Sequence, residues 1–188
     1  MKIVWNQQIY KWKFLEMELL EVEKEDWKTT KRESVKRINS QPVVSSLVEN
    51  ITNNTFVLVE QFRAPVNKRV IELVAWVCDK PWYTSEQIIR EEIMEETWYN
   101  AKKIELLLRN APKSPWMIWE LWDTYYSQVE WERWEQRLED FENIDVLEFE
   151  KKDLIPYLKA KEKEWILISS WIFTVIWSML ARWINILK

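Results

Sequence analysis

Four glutamates within one short stretch, Glu91, Glu92, Glu95 and Glu96, are the residues of this chain best suited to chemistry. On a helix, residues three and four apart are neighbours, so Glu92, Glu95 and Glu96 share one acidic face. Clustered carboxylates repel one another unless a positive charge sits among them, and oxygen-only ligands suit Mg²⁺ or Mn²⁺. Taken alone, the cluster also fits a solvated charged helix with Arg90 as counter-charge. Composition excludes several other chemistries. The chain has no histidine, which removes Ser-His and Cys-His dyads and His-ligated zinc. Its one cysteine, Cys78, cannot form an internal disulfide and favours a reducing compartment, hence the cytoplasm.

The elements that must position this face can be read from periodicity. The chain has 188 residues, 47% apolar and 31% charged, which fits one domain with a real core. Lys plus Arg is 27 against 31 Asp plus Glu, and a net charge of −4 argues against a nucleic-acid binder. Phe14–Val22 alternates as a half-buried strand, with a turn at Asp26–Thr29 and a returning strand at Ser34–Ile38. Val43–Val48 and Phe56–Phe62 read as strands around a polar loop, and Val70–Val77 as another. Thr84 with Gln87 has capping-box spacing for a helix running to about Thr97. Ile104–Leu108, Thr124–Val129 and Ile144–Phe149 follow as strands, and Asp153–Lys161 as a short helix. The fold class is α+β. Ile166–Leu187, about 20 mostly apolar residues, is long enough to span a bilayer. Ser169, Ser170, Thr174, Ser178, Arg182 and Asn185 interrupt it, so the expectation is a buried terminal helix and no membrane span.

Two counts are abnormal: no glycine and 15 tryptophans. Average usage predicts roughly 13 glycines in a chain of this length. Tryptophan also stands where glycine chemistry belongs. Asp26-Trp27 and Pro81-Trp82 sit in turn contexts, and Trp131 and Trp134 lie in a polar segment. Most of these tryptophans are therefore read as glycine positions of a parent sequence.

The surroundings of the acidic stretch carry a resemblance. Glu92-Ile93-Met94-Glu95-Glu96-Thr97-Trp98-Tyr99 resembles the second half of the Nudix hydrolase signature, with Trp98 in place of its glycine. Trp76 falls at the opening glycine and Glu86 at the spaced acid. The box is one residue longer than usual, and its insert Asp79-Lys80-Pro81-Trp82 resembles that of nucleoside-diphosphate-sugar pyrophosphatases. Val59–Val66, Glu72-Leu73-Val74-Ala75-Trp76, Lys113-Ser114-Pro115-Trp116 and Thr124-Tyr125-Tyr126 are similar to flanking segments of the same branch. Glu91 departs from the pattern, since it occupies the signature arginine position beside Arg90.

The resemblance implies a Nudix α/β/α sandwich with a mixed sheet over residues 41–188. Residues 1–40 would form an N-terminal β-extension used in dimerisation. It implies metal-dependent hydrolysis of ADP-ribose or a UDP-sugar to a nucleoside monophosphate and a sugar phosphate. Glu92, Glu96 and the Ala75 carbonyl would hold Mg²⁺ or Mn²⁺, with Glu95 supporting the cluster. The base would come from a late acidic loop, at Glu139 or Glu142, although either also fits a charged surface loop. Arg63 would contact substrate phosphate, helped by Lys68 or Arg69, and Glu72 the base or ribose. A structural ion pair is an equal reading for Arg63 and for Glu72. The competing class is a Nudix-fold binding module in which Trp76, Trp98 and Trp116 fill the site. A homodimer is implied, and the apolar surplus of the N-terminal strands and the terminal helix agrees with it.

Overall fold

The computed structural model describes residues 1–38, 41–130 and 143–182. The chain opens on three antiparallel strands, β1 (Lys2–Lys11), β2 (Leu15–Glu23) and β3 (Thr29–Arg37). Then come β4 (Val43–Asn50), β5 (Thr55–Arg63), β6 (Lys68–Glu72), β7 (Val74–Val77) and helix α1 (Ser85–Thr97). After the helix follow β8 (Ala101–Pro112), the short β9 (Ile118–Trp119), β10 (Leu121–Val129) and β11 (Ile144–Glu150). The chain closes on α2 (Leu154–Lys163), β12 (Leu167–Ile168) and α3 (Ser170–Ala181). Strand β1 lies within residues 1–40, expected as a β-extension, but periodicity does not mark it as a separate strand, because its polar and apolar residues do not alternate cleanly. It is exposed along its whole length, and among the described strands it pairs with β2 alone.

The main sheet is mixed. The β4–β10 and β6–β12 pairs are parallel, and the remaining pairs are antiparallel. All eight residues of β4 are buried, as expected of a strand covered on both faces. Strand β5 shows how the two faces are built. Phe56 and Leu58 join one cluster with Leu154 and Leu158 of α2 and Ile172, Val175 and Met179 of α3. Val57 and Val59 point the other way and pack with Ile88, Ile89 and Ile93 of α1. Alternate side chains of a strand face opposite sides of its sheet, so this is an α/β/α sandwich. Ser45 and Ser46 of β4 are polar in the interior, but they pair with Thr124 at 3.2 Å and Ser127 at 2.8 Å on β10.

The run Val70–Val77 is two strands rather than one. Strands β4 and β5 pair only near their hairpin, at Val48–Asn50 and Thr55–Val57. Beyond it they diverge, and the run fills the fork. Lys68–Glu72 pairs with β5, then the chain crosses at Leu73 and Val74–Val77 pairs with β4. The strand that enters the acidic helix therefore leaves from inside the fork. The terminal segment also differs from expectation. It opens with β12, which pairs with β6, and its described helix is 12 residues long. One face of α3 is buried, while Phe173, Trp177 and Leu180 are exposed. No described helix is long and apolar enough to cross a membrane.

The backbone separates two kinds of tryptophan. Trp27, Trp98 and Trp165 are left-handed, with φ of 62°, 69° and 62°. Trp27 closes the β2–β3 hairpin, where its N–H reaches the Lys24 carbonyl at 3.1 Å. Trp165 ends α2 in a Schellman motif: Ile166 N–H bonds the Lys161 carbonyl at 3.2 Å and Trp165 N–H bonds that of Glu162 at 3.1 Å. Glycine is the residue such positions favour. Trp76, Trp82 and Trp116 do not have positive φ, so backbone conformation gives no reason for glycine there. Trp165 was not singled out from the sequence, and Trp131 and Trp134 lie outside the described residues.

The indoles of Trp27 and Trp165 are 79% and 80% exposed, so little packing is lost when they are removed. A left-handed bulky residue costs about 1–2 kcal/mol, and glycine's greater freedom in the unfolded chain takes back about 0.5–1 kcal/mol. Trp27→Gly and Trp165→Gly are therefore each expected to stabilise the fold by about 0.5–1 kcal/mol. Trp82→Gly, at a site 91% exposed without positive φ, is expected to be neutral or destabilising. Urea melts of the three variants decide this, and equal shifts at all three positions would remove the backbone argument.

Candidate active site

Helix α1 begins where the sequence predicts. Thr84 accepts from Gln87 N–H at 3.2 Å, and Gln87 Oε1 accepts from Thr84 N–H at 2.8 Å. This reciprocal cap fixes the first turn. The helix buries Ile88, Ile89 and Ile93 against the sheet, and the same rotation draws two carboxylates inward. Glu92 is 4% exposed and Glu96 2% exposed, one helical turn apart. Glu95 and Glu91 are half-buried. A simply solvated charged helix is therefore not what forms. Helix α1 packs on β7, the strand that carries Ala75, and Ala75 lies opposite Ser45 of β4 in the ladder.

Arg90 does not serve as counter-charge to this face. It donates to Glu86 at 3.2 Å and to the Ala101 carbonyl, which ties the outer side of the helix to β8. Lys80, in the loop entering α1, donates to Glu91 instead. Glu91, Glu95 and Glu92 together hold the Lys80 ammonium above its ordinary pKa, the hydrogen bond it donates to Glu91 being the largest cause. At the far end of α1, Trp98 caps the helix in the left-handed region and its N–H bonds the Met94 carbonyl at 3.1 Å. Its indole Nε1 is buried without a hydrogen-bond partner.

Arg63 and Glu72 are brought together, as an ion pair at 2.6 Å. Arg69 is engaged elsewhere, with Glu60 at 2.7 Å and with Asp145. Lys68 sits over the Trp165 ring at 5.7 Å. The cation beside the Arg63–Glu72 pair is Lys113 of the Ser114-Pro115 loop, which sequence reasoning passed over. Its ammonium lies 2.9 Å from the centroid of the Trp122 ring and 5.1 Å from that of Trp171. Desolvation of its ammonium lowers Lys113 to about 7, although the residue as a whole is exposed, with Arg63 acting in the same direction and Glu72 and Glu120 against it. A lysine immediately before Ser-Pro was the one signal in the sequence. Glu139 and Glu142 lie outside the described residues. Burial pushes the Cys78 thiol up to about 11, so it is not a nucleophile at neutral pH.

The donor set on α1 is all oxygen, which suits a hard divalent cation. Among the described residues no three His, Cys, Asp or Glu side chains converge into a cage. Two carboxylates and a carbonyl fit the manner in which Mg²⁺ is usually held, with water and substrate phosphates completing its shell.

Likeness to known proteins agrees with this geometry. No family model matches the chain. It is 28% identical over 161 residues to a methanol dehydrogenase activator of Bacillus methanolicus, covering 85% of this chain and 84% of that one. It is 27% identical over 164 residues to an ADP-ribose pyrophosphatase of Bacillus subtilis, covering 86% and 84%. Among solved structures, an ADP compounds hydrolase superposes with a TM-score of 0.65 at 12% identity, over 82% of each chain. Fold, acidic helix and likeness together are similar to those of Nudix-type hydrolases. Of the two curated relatives, the one from Bacillus subtilis is an ADP-ribose pyrophosphatase, which points to that branch.

The helix is anchored beyond its cap by Tyr99, whose hydroxyl donates to Glu148 of β11 at 2.7 Å. Glu148 also accepts from Thr55 at 2.6 Å, Asn50 at 3.1 Å and Asn53 at 3.4 Å. Burial alone would push its carboxyl up, but these four bonds together hold it below the usual range. A carboxylate with a depressed folded pKa contributes stability above its unfolded value, near 4.3 in free glutamate. That contribution is lost as pH falls through the folded value. Glu148→Gln is therefore expected to lower the thermal midpoint at pH 7, with the two melting curves converging below about pH 4. A gap that stays constant from pH 7 to pH 3 would rule out the carboxylate's role.

Proposed function

We propose that the chain hydrolyses the diphosphate bond of a nucleoside-diphosphate sugar, ADP-ribose or a UDP-sugar, with Mg²⁺ or Mn²⁺ as cofactor. The products would be a nucleoside monophosphate and a sugar phosphate. The observation that carries this reading is the burial of Glu92 and Glu96, one turn apart, on a helix packed against the strand of Ala75. These two carboxylates with the Ala75 carbonyl would hold the cation. When bound, it would neutralise the phosphates and lower the pKa of a coordinated water. Glu95 borders the same face and would keep the pair of ligands oriented. Arg63 and Lys113 would meet phosphate oxygens, and Glu72, now paired with Arg63, would release it to substrate and accept from the base or ribose. Glu139 or Glu142 remains the proposed base.

Glu96→Gln keeps the shape of the side chain and removes its charge. Turnover at saturating Mg²⁺ is expected to fall by at least about a hundredfold, or roughly 2.7 kcal/mol of transition-state stabilisation. The melting midpoint should change little. Comparable turnover in both proteins would sink the ligand assignment. A second reading, a binding module without turnover, is favoured by the strained Trp98 at the helix end and the half-buried Trp76. Binding of sugar nucleotide with no release of monophosphate, in the presence of either metal, would select it.

Substrate class follows from charge. A diphosphate sugar needs a few cations beside the metal, whereas a long RNA needs a basic groove. The basic stretch of residues 28–37 lies on β3 and its turn, and Lys36 there is spent on Glu16 at 3.0 Å and Glu18 at 2.8 Å. ADP-ribose or a UDP-sugar should be cleaved faster than a nucleoside triphosphate or capped RNA in a side-by-side assay. Preference for the triphosphate would overturn the substrate class and leave the fold intact.

A cytoplasmic homodimer completes the proposal. Strand β1 is an exposed edge bearing Ile3, Val4, Trp5, Ile9 and Tyr10. Beside it a cleft of about 630 Å³ runs between Ile3, Leu20 and Val22 and the residues Met117, Ile118 and Leu121. Long apolar edges of this kind are usually covered. Light scattering at micromolar concentration is expected to give twice the chain mass, and the mass of one chain would refute the dimer.

A further inference from the structure

The acidic face of α1 has a charge problem that the sequence does not solve on the helix itself. Glu91, Glu92, Glu95 and Glu96 crowd its second half, and the last turn carries no basic residue. That end is also the negative end of the helix dipole, which adds to the repulsion. Arg90 faces the other way, towards Glu86 and the Ala101 carbonyl. Among the described residues, one positive charge reaches this face from outside the helix, at Glu91. Lys80, in the loop between β7 and α1, places its ammonium on Glu91, with the Tyr83 ring 5.4 Å away on its other flank.

We propose that Lys80 is a positioning residue: an internal counter-ion that offsets the crowding of Glu91, Glu92 and Glu95 and pins the β7–α1 loop onto the helix. The position occupied by Glu91 is the departure from the arginine of the pattern. The cation sits on the loop and the anion on the helix. The inference rests on the proposed metal-holding role of this face for its functional half only. Lys80 is a counter-ion to Glu91 whether or not a metal binds.

Three consequences follow from Coulomb's law at a partly exposed site. In metal-free protein, Lys80→Met lowers the thermal midpoint, more at low ionic strength than in molar salt, while Lys80→Arg retains most of it. The loss shrinks when Glu91→Gln is present as well, because the partner charge is gone. With the internal cation removed, the face attracts an external one more strongly. Mg²⁺ therefore raises the midpoint of Lys80→Met more than that of the wild type, and the half-saturating Mg²⁺ concentration falls about threefold to fivefold. A merely structural lysine would not move that concentration.

The measurements are thermal melts of wild type, Lys80→Met, Lys80→Arg, Glu91→Gln and the double variant, with and without Mg²⁺, at two salt concentrations. Coupling between Lys80 and Glu91 that weakens with salt supports the inference. Additive effects of the two substitutions, or no salt dependence, overturn it whatever Mg²⁺ does. Coupling with no Mg²⁺ shift in any of the proteins leaves Lys80 as counter-ion and removes the metal-holding role of the face. Coupling with an identical Mg²⁺ response in wild type and Lys80→Met overturns the functional half.

Discussion

Two carboxylates cannot remain charged beneath a helix unless positive charge is supplied to them. That constraint organises this molecule. Helix α1 buries Ile88, Ile89 and Ile93, and at 3.6 residues per turn Glu92 and Glu96 follow them inward. Burying an uncompensated carboxylate costs several kcal/mol, a large share of a typical domain stability of about 5–15 kcal/mol. A fold that keeps such a pair must provide a counter-charge, from its own side chains or from solution. The loop carrying Lys80 brings a cation to Glu91 on the same face, and the all-oxygen character of the donors suits a hard cation from solution.

The rest of the architecture serves to hold that helix still. Strand β4, buried along its length, is the spine on which β7, β10 and the hairpin partner β5 assemble. The fork between β4 and β5 lets the chain leave β5 and deliver Ala75 alongside α1. At the other end, Tyr99 and Glu148 fasten the helix exit to the loop of the β4–β5 hairpin. Packing from α2 and α3 supports the far face of the sheet, and Trp171 of α3 reaches the Lys113 ammonium. Precision at the acidic face thus comes from strands and caps, which are stiffer supports than loops.

Much of this was legible in the sequence because it is governed by local rules. The capping box at Thr84 and Gln87, the strand alternation at Phe56–Phe62 and the i, i+3, i+4 spacing of the glutamates each fix structure over a few residues. The misses share a different cause. Splitting Val70–Val77 into two strands depends on how far β4 and β5 diverge, which no local pattern encodes. Lys80 and Lys113 gain their significance from partners distant in sequence: an acidic helix face for one, and Trp122, Trp171 and the Arg63–Glu72 pair for the other. Edge strand β1 has no buried face of its own, so burial periodicity had nothing to register there.

The tryptophans test how far a residue type can be separated from a backbone position. Composition and turn context suggest that most of them stand for glycine. The backbone divides them, since Trp27, Trp98 and Trp165 hold a left-handed φ and Trp76, Trp82 and Trp116 do not. At the first group a Cβ opposes the backbone itself, and the cost is the same in any surroundings. At Trp98 that cost falls at the end of the acidic helix, together with a buried indole N–H that has no partner. An unmade buried hydrogen bond costs about 1–3 kcal/mol, so strain and desolvation both concentrate one turn from Glu95. The same helix is held at its start by a reciprocal cap and at its end by a strained one, so any loosening of the acidic face begins at Trp98.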